Sequence, residues 1–142
     1  MRKLMMLMLG IALVLVSAPP VAQAQLADAI NMTNEAVQVL DDWPAVGKRY
    51  SVDLDKTAGH DFRNQKKATT LLQDALSKAK SGNASKMSIF KLEEAVVRAP
   101  IGLHKDSRLM AMGALFHLCK DAGGQPAEVC NKVPKYGSYT SP

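Results

Sequence analysis

Two cysteines, three histidines and an alternating pair of aspartates are the residues of this chain whose types could do chemistry, and their spacing decides most of what they can do. Cys119 and Cys130 stand too far apart for a C-x-x-C redox pair, and no further Cys or nearby His completes a zinc set. Two such cysteines in an exported chain are expected to form one disulfide, which leaves no thiol for catalysis. His60, His104 and His117 fall in different segments, and no two have the i, i+4 spacing that puts metal ligands on one helical face. No Gly-x-Ser-x-Gly turn offers a serine nucleophile. Asp53 and Asp55 could hold a cation, but a calcium loop opening at Asp53 needs Gly at 58 and Glu at 64, where the chain has Ala58 and Asn64. A surface loop is the expectation there. Catalysis therefore has no visible carrier, and the chain is expected to be no enzyme and to use neither metal nor cofactor.

The run Val52-Asp53-Leu54-Asp55-Lys56-Thr57 also resembles the D-x-D-x-T nucleophile loop of haloacid-dehalogenase-type phosphatases. That chemistry sits at the end of a buried strand in a doubly wound parallel sheet, and the rest of this chain reads as helices.

The elements that must position these residues begin after a leader. Met1-Arg2-Lys3 is a basic start, Leu4 to Val16 is an apolar run, and Ala22-Gln23-Ala24 is a small-x-small cleavage signature, so residues 1–24 read as an export signal. The run is too short to span a bilayer, and no later one compares with it, so no stable membrane anchoring is expected once the leader is removed. Cleavage after Ala24 leaves 118 of the 142 residues, with 16 basic and 13 acidic side chains, because Arg2 and Lys3 leave with the leader. A net charge of about +3 spread through mixed segments is a solvated surface rather than a nucleic-acid footprint. The expected compartment is the periplasm of a Gram-negative cell, or otherwise the exterior.

Residues 25–132 read as an all-α domain of three to four helices with a disulfide-stapled C-terminal turn. Leu26, Ile30, Thr33, Val37 and Leu40 mark a first helix from Leu26 to Trp43, ended by Pro44. Asp41 and Asp42 sit badly at its negative end, so either the last turn frays or those carboxylates meet Lys48 or Arg49. Residues 44–60 read as an extended crossover, with His60 in that loop. Asp61 is the expected cap of a second helix from Phe62 to about Lys80, with Phe62, Leu72, Leu76 and Ala79 on one face and Ser81-Gly82-Asn83 as its stop. A third helix, from about Lys86 to Arg98, carries Ile89, Phe90, Leu92, Ala95, Val96 and Val97 as a wide inward face. His104 is placed between helices. A fourth helix from Asp106 or Ser107 to Lys120 turns Leu109, Met112, Leu115, Phe116 and Cys119 inward, Gly123-Gly124 closes it, and Gln125-Pro126 opens a short turn holding Cys130. Residues 133–142 read as a loosely ordered tail.

Met32 and His117 would lie at one end of an up-down-up-down bundle, and Met with His is a haem axial pair. With Asp61-Phe62-Arg63 and Asp74-Ala75-Leu76 this arrangement resembles the periplasmic b-type four-helix cytochromes, and the resemblance implies a haem held by Met32 and His117. Asp106-Ser107-Arg108-Leu109, followed by Cys119, Pro126, Glu128, Cys130 and Tyr136, is similar to the pattern of the TrbM/KikA family of exported conjugal-transfer proteins, with Val129 inserted between Glu128 and Cys130. That resemblance implies an accessory of a conjugation or secretion apparatus with Cys119 and Cys130 as its bridge.

With no carrier of catalysis, the leading expectation is a domain that binds another protein, and a toxin-neutralising immunity protein is an alternative. The apolar stripes and the phenylalanines are assigned to the core, because a chain this short has little apolar surface to spare. The recognition surface is therefore expected at Trp43, Tyr50, Tyr136 and Tyr139, amphipathic rings in the least regular stretches.

Overall fold

The computed structural model describes residues 20–41 and 54–133, with side chains described except across 54–62. Among them are five helices and no strand: α1 (Pro20–Asp41), α2 (Leu54–Ser81), α3 (Lys86–Arg98), α4 (His104–Asp121) and the single turn α5 (Ala127–Cys130). The protein is an all-α bundle.

Polar contacts fix the order and direction of the four long helices. Lys67 meets Glu35 at 3.1 Å and Lys78 meets Asp28 at 3.5 Å, so α1 and α2 run antiparallel. At one end of the bundle the Gln23 side-chain amide donates to the Ala122 carbonyl at 3.3 Å, and at the other Arg108 meets Asp41 at 3.3 Å, which makes α4 antiparallel to α1. The Ser107 hydroxyl donates to the Ala95 carbonyl at 2.8 Å across the α3–α4 pair. Each long helix thus packs on two neighbours in a closed up-down-up-down square.

Alanine builds much of the core. Ala29, Ala36, Ala68, Ala75, Ala95, Ala111 and Ala114 are fully buried between Ile30, Leu40, Leu72, Leu92, Leu115 and Leu118. Small side chains let helix axes approach closely, and fewer large ones are then needed to fill the interior. Gly82 carries this furthest. A Cβ there would lie 2.9 Å from Leu26 Cγ and 3.0 Å from the Ala22 carbonyl oxygen. The left-handed turn after α2 is made instead by Asn83, at φ 54°, with the Ala84 amide donating to the Ala79 carbonyl at 2.9 Å.

Several expected boundaries move. Helix α1 starts at Pro20, whose ring pre-sets a helical φ, so Ala22 is helical and buried and Gln23 is helical and hydrogen-bonded to α4's end although both lie upstream of the expected cleavage point. It ends at Asp41, whose carboxylate meets Arg108 of α4, while Asp42, Lys48 and Arg49 lie outside the described residues. Helix α2 begins at Leu54 rather than Phe62, so 54–60 is not extended, Asp61 is interior rather than a cap, and Asp55 and His60 are helical rather than loop residues. Alternation over three residues is a weak strand signal, and one interior glycine costs about 1 kcal/mol, which a long helix absorbs. Helix α4 begins at His104, which is buried and whose Nδ1 lies 3.4 Å from the Gly102 carbonyl oxygen. Val133, expected to open the tail, is buried.

The expected staple is present. Cys119 and Cys130 form a disulfide with Cα atoms 5.6 Å apart, fastening α5 onto the end of α4 where Gly123 and Gly124 turn the chain at positive φ.

Candidate functional site

Helix α3 presents two stripes that differ in what they meet. Ser88, Leu92, Ala95 and Ala99 recur at helical spacing and are buried against α2 and α4. Met87, Phe90, Glu94 and Val97 recur at three-four spacing about half a turn away, and Ile101 continues the row past the helix end. That second row faces outward. Phe90 is 51% exposed, Val97 61% and Ile101 67%, and Met87 and Leu103 are nearly half exposed. Of the seven large apolar side chains exposed among the described residues, six belong to α3, the turn after it and Leu109 of α4. The exposed Leu109, Phe90 and Val97 correct the expectation that all three point inward. An apolar arc this wide cannot meet the core all round, and the Ala and Ser positions, which permit the closer approach, take the inner face.

The inner stripe holds the ridge in place from both ends. At the N-terminus, Asp121 Oδ2 accepts from the Ser85 amide at 2.9 Å and from the Ser88 hydroxyl at 2.6 Å, and Ser85 caps the helix by accepting from the Ser88 amide at 3.3 Å. At the C-terminus, Ser107 bonds the Ala95 carbonyl, the Leu103 amide donates to the Arg98 carbonyl at 3.1 Å, and the Gln65 side chain donates to the Pro100 carbonyl. Ordering α3 on docking would therefore cost little.

The carboxylates near the ridge are already satisfied. Glu93 meets Lys80 of α2 at 3.3 Å, and Glu94 is paired with Arg98 one turn on. Helical spacing puts Lys86 on the Glu93 margin of the ridge and Lys91 with Arg98 on the other. Along α4 beside that margin, the Lys120 ammonium lies 5.1 Å from the Phe116 ring centre, and His117 packs edge-on to Phe116 at 5.2 Å. Partial burial of the His117 ring, and then the positive charges of Lys120 and Lys91, push its pKa below the ordinary histidine value, with Asp121 opposing.

A hollow of about 370 Å³ lies beside the disulfide, lined by Phe116, Cys119, Lys120, Gly124, Cys130 and Val133 among others. A second, of about 260 Å³, lies between Gln65, Lys66, Thr69, Thr70 and Pro100. Neither is lined by Met32, which packs half-buried against the core, or by His117. Among the described residues no three His, Cys, Asp or Glu side chains gather to hold a metal ion. No described helix is long and apolar enough to cross a membrane. Trp43, Tyr50, Asp53, Tyr136 and Tyr139 lie outside the described residues, as do the side chains of Asp55 and His60.

Sequence reasoning had Phe90, Val97 and Leu109 but placed them in the core, and it did not single out Met87 or Ile101. The signal that identifies the ridge is the width of the α3 apolar arc, broader than one buried stripe requires. Comparison of the chain with protein families, with curated proteins and with solved structures found no match.

Proposed function

We propose that this chain is an exported, non-catalytic helical domain that acts by binding another protein, and that the outer face of α3 is where the partner docks. One observation carries the reading: the exposed large apolar side chains are gathered on one braced helix and its turn instead of being scattered singly. Met87, Phe90, Val97 and Ile101 give the three-four anchor spacing by which a helix is read in a partner's groove. Export is supported by the composition of residues 1–24. The similarity of residues 106–136 to exported conjugal-transfer proteins makes a secretion or conjugation apparatus the setting to test first.

The test is site-specific photo-cross-linking in cells that express the chain natively. A photoreactive side chain at position 97 gives a discrete protein adduct, and one at Gln73, exposed on α2, does not. Lipid adducts alone, or equal labelling at both positions, contradict the proposal.

A further inference from the structure

The charges beside the ridge indicate what kind of protein surface fits it. Residues 86–105 carry four basic side chains, Lys86, Lys91, Arg98 and Lys105, against two acidic ones, Glu93 and Glu94. Both glutamates have partners, Glu93 in Lys80 and Glu94 in Arg98. Lys86, Lys91 and Lys105 have no ion-pair partner among the described residues. Asp121 is committed as well, accepting from Ser85 and Ser88, and Asp106 is held in the first turn of α4, where the helix dipole favours a carboxylate. Positive charge continues along α4, where the Lys120 ammonium lies 5.1 Å from the Phe116 ring centre. An apolar ridge is thus left with uncompensated cations on both margins and at the turn beyond it.

We infer that the partner is a protein with an apolar groove rimmed by Asp and Glu side chains, which takes Phe90 and Val97 between acidic edges that meet Lys86, Lys91 and Lys105. This rests on the docking reading above and adds the chemistry of the partner to it. A second copy of this chain fits less well, because its own ridge would bring the same unpaired lysines against these. The apolar row supplies contact area, and the lysines supply orientation and speed of encounter.

The test uses the cross-linker at position 97 in the full chain, presented to an extract of the native cell envelope. In Lys86→Glu/Lys91→Glu/Lys105→Glu the adduct yield is expected to fall at least about tenfold while the helical circular dichroism signal is kept, a loss that matches reversed charge at an encounter surface. If the triple variant does not fold, the unsubstituted chain carries the same test. Its adduct yield falls steeply between roughly 0.05 and 0.5 M salt, where screening shortens the reach of surface charge. An adduct indifferent to both changes but lost in Phe90→Ser overturns the acidic groove and leaves the docking reading standing. An adduct to a second copy of the chain overturns the acidic groove as well. An adduct unaffected by Phe90→Ser overturns both readings.

Discussion

The Ser88 hydroxyl donates to Asp121 Oδ2 at 2.6 Å, so a residue on the inner face of α3 is fastened to the last residue of α4 while Phe90, two positions on, faces outward. The same carboxylate oxygen also accepts from the Ser85 amide, one of the free donors that every helix start must satisfy. Asp121→Ala removes both partners at once and leaves the buried Ser88 hydroxyl with only its contact to Ser85. A loss of about 1–3 kcal/mol is expected by chemical denaturation, with hydrogen exchange fastest in the first turn of α3. Unchanged stability would mean that α3 is not held at this end.

Gly82 and Asn83 are adjacent, and substitution separates their roles. Gly82→Ala drives a methyl against Leu26 Cγ and the Ala22 carbonyl, so a loss of about 1–3 kcal/mol is expected even though alanine ordinarily favours helix. Asn83→Gly keeps the left-handed turn and should be nearly neutral, whereas Asn83→Ala costs roughly 1 kcal/mol. Thermal midpoints of the three variants check the order, and a neutral Gly82→Ala would show that α1 and α2 are not in close contact there.

Most of the bundle is legible in the sequence. Helix α3 runs from Lys86 to Arg98 as its serine cap, apolar residues and Pro100 indicate, and the α4 stop falls at Gly123-Gly124. What the sequence does not show is which apolar residues meet the core. Ser88 and Ala95 look unremarkable beside Phe90 and Val97, yet the small residues are buried and the large ones are not. That outcome depends on how closely α3 approaches α4, a distance set by Ala111, Ala114 and Ser107 on the other helix, which no local window contains. The start of α2 was hidden for a different reason. Gly59 and the alternation of Tyr50, Val52 and Leu54 suggest irregular chain locally, and a long helix overrides such local preferences. Of the candidate surface, the charges were visible one by one, but their pairing across helices was not. Lys67 and Lys78 bridge to Glu35 and Asp28 of α1, whereas Lys80, on the opposite side of α2, bridges to Glu93 of α3.

Reducing the disulfide should separate α5 from α4. The bridge joins residues 11 apart, so the loop-closure estimate is about 3 kcal/mol, and α5 as a single turn has little else to hold it. Cys119→Ser and Cys130→Ser should lose stability alike, read from denaturant midpoints with and without reductant. Titration of two free thiols in the native protein would contradict the pairing.

His117 gives the pH dependence a sign. Its pKa in the folded chain is lowered, by burial first and then by Lys120 and Lys91, so the unfolded chain takes up a proton where the folded one does not. Stability therefore falls as pH drops through the ordinary histidine range and levels off only below the depressed folded value. Between about pH 7.5 and about pH 5, the His117→Gln midpoint should decline less than the parent's. Equal declines would mean that the ring is not perturbed.

The central claim is that the α3 ridge serves recognition rather than folding, and one paired measurement on Phe90→Asp/Val97→Asp tests it. Both side chains are more than half exposed, so the thermal midpoint should stay within a few degrees of the parent's, a change of about 0.5 kcal/mol for each surface position. The adduct formed through a cross-linker at position 101 should meanwhile disappear. A variant that unfolds would place the ridge in the core, and a folded variant that still forms the full adduct would contradict docking through α3.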